Sequence, residues 1–312
     1  MEFLYLLESL RTPLGDAFFS TITHLGGETL LIVMGLLLFW CVDKWEGYYM
    51  LTVGLTGTIV NQFLKLWFRI PRPWVRDPAF TIVESAREGA SGYSFPSGHT
   101  QSSVGIFASL ARWNRQRWLR VVCIALCVLV PLSRMYLGVH TPADVLVSVV
   151  IALTLVLVLC PLLQKAKDSP ALMRCILLVM VVLAGGYLAF VSLYPFPADV
   201  DAANLASGTK NAYTMMGCML GLWLAYETDL RWLKFDTKAP LLGQVLKLGL
   251  GFGLLLAIKA GAKAPLRALI GSDYPADGIR YFLMVAFAGC VWPLTFKWFD
   301  RLAGKKEEQP AE

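Results

Sequence analysis

Residues 133–163 read SRMYLGVHTPADVLVSVVIALTLVLVLCPLL, and this stretch decides the class of the fold. After Asp144 the chain runs to Leu163 without a charged side chain. At about 1.5 Å of helical rise per residue, that length is close to the ~30 Å hydrocarbon thickness of a bilayer. The head of the same stretch is polar, with Ser133, Arg134, His140 and Asp144 leading into the apolar run. Thr141-Pro142-Ala143-Asp144 supplies a capping residue, a first-turn proline and an acid three positions after the cap. A helix is therefore expected to open at residue 142.

The rest of the chain repeats this pattern. Of 312 residues, 56% are hydrophobic and only 16% charged, with a mean hydropathy of +0.58. That is far too apolar for an ordinary soluble domain of this size. The expected fold class is all-α, a polytopic membrane helix bundle. Runs of roughly 17 to 25 residues that could cross a bilayer centre on 28–43, 47–67, 98–113, 118–134, 142–163, 171–193, 209–226, 241–260 and 279–299. About nine transmembrane helices are thus expected, the first and seventh being short or polar-tinged. Residues 1–27 alternate apolar and polar groups and contain Pro13, Gly26 and Gly27, so they read as an interfacial amphipathic segment. No basic start with a small-residue cleavage site appears, and no cleaved signal peptide is expected. Residues 304–312 read as a solvated tail.

Orientation follows from where arginine and lysine gather. Arg112, Arg115, Arg117 and Arg120, then Lys165, Lys167 and Arg174, then Arg231, Lys234 and Lys238, and finally Lys297, Arg301, Lys305 and Lys306 fall in alternate connections. By the positive-inside rule these are cytoplasmic. Loops 68–97, 135–141, 194–208 and 261–278 then lie on the outer face. The short loops and lack of organelle signals point to a bacterial cell membrane. The net charge of +6 is explained by the cytoplasmic loops and gives no reason to expect nucleic acid. The seven cysteines sit in or at the ends of apolar stretches without metal-ligand spacing and read as small hydrophobes. Tryptophans 40, 45, 67, 113, 118, 292 and 298 read as an interfacial belt. Gly217 and Gly221 form a GxxxG pattern that argues for close helix packing.

Three polar segments fall on the expected outer face. Lys65 and Arg72 are seven residues apart, close to two helical turns, which on one helix would put both cations on one face. Pro71 and Pro73 stop that helix and fix Arg72 in a turn. Such a pair suits a phosphate dianion, although either cation alone is equally explained by snorkelling. Pro96-Ser97-Gly98-His99 places a serine cap, a close-approach glycine and an imidazole at a helix start, where free backbone N–H groups attract anions. Taken alone, it is also an ordinary capped helix. In the third segment Asp144 lies four residues beyond His140. One turn would bring the carboxylate beneath the imidazole, accepting from one ring nitrogen and leaving the other free to attack. Asp144 is also explained as a cap residue, and both roles can hold. Among the remaining polar groups, His24 and Lys210 lie on the outer side, where His24 is more simply a structural or exposed histidine and Lys210 a possible substrate contact.

These motifs, complete and in order as Lys65–Pro73, Pro96–His99 and Ser133–Asp144, resemble the signatures KxxxxxxRP, PSGH and SRxxxxxHxxxD of the phosphatidic acid phosphatase type 2 (PAP2) superfamily. The resemblance covers about residues 28–163. It implies a six-helix catalytic core within residues 28–193, with 194–303 as additional C-terminal helices. It further implies that His140 is a nucleophile forming a phosphohistidine, that Asp144 orients it, and that His99 protonates the leaving group. Lys65, Arg72 and Arg134, with Ser97 and the Gly98 amide, would bind the phosphoryl oxygens. No metal or other cofactor is implied. The expected partners are the lipid bilayer and a phosphorylated amphiphile such as a polyprenyl pyrophosphate, phosphatidate or sphingoid phosphate. A soluble sugar phosphate is the enzymatic alternative and would need loop 74–95, with Glu84, Ser85, Arg87, Glu88 and Ser91, to form a polar pocket. A non-catalytic lipid binder or transporter would use the same cations but gives no reason for two histidines and Asp144.

Overall fold

The computed structural model describes residues 1–301, so the expected tail at 304–312, with Lys305 and Lys306, lies outside the described residues. The chain begins with two short helices, α1 (Glu2–Ser9) and α2 (Pro13–Thr23), and a 3-10 turn at His24–Gly26. Next come α3 (Glu28–Leu37), which runs into a π turn at Leu38–Val42, α4 (Lys44–Phe68) and the single turn α5 (Pro73–Arg76). The middle of the chain forms α6 (Gly98–Trp113), α7 (Arg117–Tyr136), α8 (Pro142–Ala166) and α9 (Pro170–Leu193). The C-terminal part forms α10 (Ala202–Thr228), α11 (Leu241–Gly261), α12 (Lys263–Ile270), α13 (Asp273–Ala286) and, after π and 3-10 turns, α14 (Phe296–Asp300). No strand occurs among the described residues.

Each of the nine expected segments falls on helix, but length and hydropathy alone mark only five stretches as able to cross a membrane. These are Arg117–Tyr136, Pro142–Ala166, Pro170–Leu193, Leu241–Ile270 and Asp273–Asp300. A sixth arises if Pro13–Gly26 and Glu28–Val42, bent by 52°, act as one span. The all-helical class is met, whereas the count of nine spans and the six-helix core are not confirmed. The difference from the expected count lies in α4, α6 and α10. Helix α6 has only 16 residues. Helix α4 buries Thr52, Thr56, Thr58 and Asn61 against other helices rather than facing lipid, and α10 carries Gly208, Thr214, Gly217 and Gly221 on its buried face. Helices packed on most sides by protein need not be hydrophobic all round.

The GxxxG expectation is met in the contact between α10 and α13. A Cβ added at Gly217 would sit 2.0 Å from the carbonyl oxygen of Gly278, and one at Gly221 would sit 2.8 Å from Val285. Backbones this close leave no room for a side chain. Two of the expected belt tryptophans belong instead to the core: Trp40 and Trp292 are buried, and the Trp40 indole donates to the Ala288 carbonyl at 2.9 Å. Trp67, Trp118 and Trp298 are exposed, as a belt requires.

The two ends of the bundle differ chemically. Around the start of α4 and the ends of α8 and α10 lie the ion pairs Lys44–Asp229 (2.8 Å), Lys167–Asp43 (3.7 Å) and Arg174–Glu227 (2.6 Å). The basic residues Arg112, Arg115 and Arg117 sit at this end, where α6 stops and α7 begins. The opposite end receives the C-terminus of α4, the N-termini of α6 and α8, and the C-terminus of α7. All three motifs meet there. The N-terminal segment closes over them: Arg11 donates to the Tyr136 and Thr81 carbonyls, and Leu4 is buried with Phe80 and Ile82.

Candidate active site

The third motif folds as its spacing requires. Thr141 caps α8, its Oγ1 accepting from the Asp144 amide at 3.3 Å while Asp144 Oδ2 accepts from the Thr141 amide at 2.8 Å. The same Oδ2 lies 3.5 Å from His140 Nδ1 and accepts a hydrogen bond from the Ser94 hydroxyl at 2.6 Å. Capping and orientation thus share one carboxylate, buried to 2% exposure beside a histidine at 1%. The turn that carries His140 wraps around the Arg134 carbonyl, which accepts from the amides of both Val139 and His140, and Gly138 takes the left-handed conformation (φ 80°) this needs.

The first motif departs from the two-turn picture. Helix α4 ends at Phe68, with Arg69 left-handed at φ 52°, so Lys65 and Arg72 do not share one helix face. Arg72 instead caps α5 and returns to the site through the loop. Its Nε and Nη2 donate to the Gly92 and Ser91 carbonyls at 3.0 and 2.7 Å. Its Nη1 donates to the Val139 carbonyl at 2.9 Å and faces His140 Nε2 at 2.8 Å. A guanidinium can only donate, so Nε2 is the acceptor and carries no proton. In a neutral imidazole the proton then sits on Nδ1, on the side of Asp144. Lys65 Nζ donates to the Tyr93 carbonyl at 2.5 Å.

The second motif is tied to the other two by backbone. Ser97 caps α6, its Oγ accepting from the Thr100 amide at 3.3 Å, while its own amide donates to the Asp144 carbonyl at 3.2 Å. The Ser94 amide donates to the Ile70 carbonyl at 2.8 Å. Gly26 packs against His99, with room for no side chain: an added Cβ would meet the His99 carbonyl oxygen at 2.7 Å. Arg134 is buried at 1% exposure and donates to Thr23 Oγ1 at 2.6 Å, leaving its Nε and Nη2 without partners.

Electrostatics at the site favour an incoming anion. Burial pushes His140 well below the ordinary imidazole range, and Arg72, Arg134 and Lys65 push in the same direction. Burial lowers Arg72 to about 10, opposed by Asp144. A cluster of desolvated cations with unused donors is stabilised by the charge it lacks.

These groups open into one cavity of about 610 Å³. Lys65, Arg72, Gly98, His99 and His140 form its polar end. Away from it run Leu36, Leu55, Cys218, Leu222, Leu255 and Val285, so α10, α11 and α13 wall an apolar arm. Ser97, Arg134 and Asp144 are buried beside the polar end but are not on the cavity wall. Lys210 is on the wall and lies 3.8 Å from Asp277, whereas His24 is exposed and off it. Of the loop residues a sugar pocket would need, Glu84 and Arg87 pair with each other at 2.7 Å in solvent, and only Ser91 reaches the cavity.

Three site residues carry no sequence signature of their own. Ser94 holds Asp144, and Thr23 holds Arg134. Asn61, one turn before Lys65, is 2% exposed with both side-chain polar atoms unpartnered, 3.8 Å from the position of a Cβ on Gly98. The four-residue spacing from Lys65 was the available hint for Asn61.

With this geometry in place, the similarity to known proteins is direct. Residues 45–168 match the model of the PAP2 superfamily, and residues 213–305 match that of the PAP2 superfamily phosphatase transmembrane extension. Phosphatidylglycerophosphatase B of Bacillus subtilis is 31% identical over 150 residues, covering 44% of this chain and 70% of the relative. An undecaprenyl-diphosphatase of the same organism is 33% identical over 100 residues, 32% of this chain and 49% of its own length. A probable sphingosine-1-phosphate phosphatase of Dictyostelium discoideum is 27% identical over 255 residues, 78% of this chain and 59% of the relative. No solved structure matches the chain. The chain belongs to the PAP2 superfamily of phosphatases. It is a membrane enzyme of the phosphoric monoester hydrolase or lipid pyrophosphate phosphatase kind.

Proposed function

We propose that the protein hydrolyses a phosphorylated amphiphile at the outer face of a bacterial cell membrane, without a metal, through a phosphohistidine on His140. The observation that carries this reading is the single cavity joining two histidines and a cation cluster to an apolar arm. An arm walled by Leu36, Leu222 and Leu255 suits a hydrocarbon chain. In this reading α4, α6 and α10 also cross the membrane, and the arginines where α6 stops and α7 begins face the cytoplasm.

The chemistry runs as follows. His140 Nε2, unprotonated and directed by Asp144 at Nδ1, attacks phosphorus as the bond from phosphorus to the alkoxide breaks. Arg72 Nη1 exchanges Nε2 for a phosphoryl oxygen, joining Lys65 and the Gly98 amide on the equatorial oxygens, while Arg134, buried behind the wall, adds its positive charge. Protonated His99 gives its proton to the departing alkoxide. Water, deprotonated by His99, then attacks phosphorus; the P–N bond breaks and phosphate leaves with His140 neutral again. Asp144 offsets the positive charge on the phosphorylated imidazole. Purified protein in detergent with EDTA, offered lipid monophosphates, a lipid pyrophosphate and glucose 6-phosphate, tests the reading by phosphate release. Release from lipids alone is expected; release from the sugar alone, or loss of turnover in EDTA, contradicts it.

A further inference from the structure

The two histidines on the cavity wall are not equally equipped. His140 faces Asp144 at Nδ1 and Arg72 at Nε2, whereas the His99 ring has no hydrogen-bonding partner among the described residues. Its close neighbours are glycines. A Cβ at Gly26 would meet the His99 Cβ at 2.9 Å, and one at Gly89 would lie 4.0 Å from its Nε2. Neither glycine has a side chain with which to hold the ring.

Charge balance shows what is missing. Lys65 from α4, Arg72 from the cap of α5 and Arg134 from α7 surround the site, with His24 and His140 on the turns before α3 and α8. A protonated His99, which the leaving alkoxide requires, is a fourth positive charge beside the three cations. Asp144 and a phosphate monoester carrying about two negative charges answer three of the four. The remaining one is costly in a desolvated site unless a carboxylate meets it. Among the described residues, Glu28 is the only acid on the cavity wall. It opens α3 two residues after Gly26, whose backbone rests on His99, and both α3 and the turn before it pack on α6. The other charged neighbours are engaged or remote. Lys65, which Glu28 feels electrostatically, donates to the Tyr93 carbonyl, and Lys210 pairs with Asp277. Glu88, next to Gly89, is exposed and off the wall.

We propose that Glu28 is the positioning residue of His99: its carboxylate, acting through space or one bridging water, is the counter-charge that keeps the imidazole protonated for the leaving alkoxide. Each histidine then has its own acid, Asp144 from one turn along α8 for His140 and Glu28 from a separate helix for His99. Glu28 stays ionised through the cycle. His99 gives its proton to the alkoxide and recovers one from the water that attacks phosphorus, returning to the charged form beside Glu28. This rests on the phosphatase mechanism above.

The test has two arms, both on the full chain in detergent with EDTA. In the first, kcat for a long-chain lipid monophosphate is followed against pH. Glu28→Gln is expected to move the alkaline limb to lower pH by about 1, the low end for a nearby opposite charge. On the alkaline side kcat then falls about tenfold, on the acid side it stays within about twofold of wild type, and KM changes little. Glu28→Asp is expected to keep the limb near its wild-type position. In the second arm, imidazole NMR of the protein with inorganic phosphate follows His99 directly, since the chain has three histidines and His99→Gln identifies the signal. Its titration is expected at lower pH in Glu28→Gln than in the wild type. A His99 titration that is the same in both proteins overturns the inference, as does a loss of kcat that is uniform across the pH range. Failure to hydrolyse any lipid phosphate removes the phosphatase reading, and the NMR arm still decides whether Glu28 acts on His99.

Discussion

His140 is the residue on which the site turns, and its environment makes specific demands. Buried and surrounded by Arg72, Arg134 and Lys65, it is held neutral far below the ordinary imidazole value of about 6.5. The unfolded chain therefore binds a proton at this position that the folded one refuses. Stability from this source is complete above pH ~6.5 and falls as the pH drops below it. Thermal unfolding in detergent is expected to show a larger loss between pH 7.5 and 5 for the wild type than for His140→Gln; equal losses would contradict the assigned environment. Ser94 supports His140, the proposed nucleophile, at one remove through its 2.6 Å bond to Asp144. Ser94→Ala is expected to lower kcat about tenfold with little change in KM, since a hydrogen bond to a charged group contributes ~1.5–3 kcal/mol. A change confined to KM would place Ser94 at the substrate instead. The motif residues were legible from the sequence because their spacings relate to one another. Ser94 and Thr23 were not, because each is a lone polar residue whose partner lies in a different motif, and Asn61, without a partner, had only its spacing from Lys65 to mark it.

At the scale of elements, the capped start of α8 was readable to the residue, because Thr141, Pro142 and Asp144 are local signals. The end of α4 was readable to within a residue, but the path of the chain from there to Arg72 was not. Its apolar run continues past Lys65, and the left-handed Arg69, which stops the helix before the prolines, depends on the loop that carries Arg72 into the site. Hydropathy likewise placed α10 without revealing what it packs against. Its Gly217 lies on the α13 backbone, so Gly217→Leu is expected to destabilise the fold by about 1–3 kcal/mol or more, read as a lowered Tm in detergent. An unchanged Tm would mean that α10 and α13 are not in this contact. Further along α10, Leu222 walls the apolar arm. Leu222→Trp is expected to shift the ratio of kcat/KM for long-chain over short-chain lipid phosphates downward by about tenfold or more, the scale set by excluding a few methylenes from a pocket. A ratio held at the wild-type value would mean the chain stays in the bilayer.

For the whole molecule, the separation of the two ends is the organising feature. Three motifs distant in sequence converge at one end, while the ion pairs of Asp43, Lys44 and Asp229 and the arginines where α6 stops and α7 begins mark the other. The convergence was foreseeable from alternating helices and the placement of charge, whereas the apolar arm was not, because its wall is assembled from α3, α4, α10, α11 and α13. In intact cells a membrane-impermeant maleimide is expected to label Glu88→Cys, in the exposed loop beside the site, and to reach Arg115→Cys only after permeabilisation; the reverse pattern would invert the proposed orientation. The most direct test is to quench the purified protein during turnover of a phosphate-labelled lipid and map the acid-labile, base-stable phosphate. Label on His140, absent from an inactive His140→Ala protein, is predicted. Turnover that leaves His140 unlabelled in the wild type, or that persists in His140→Ala, would contradict the account.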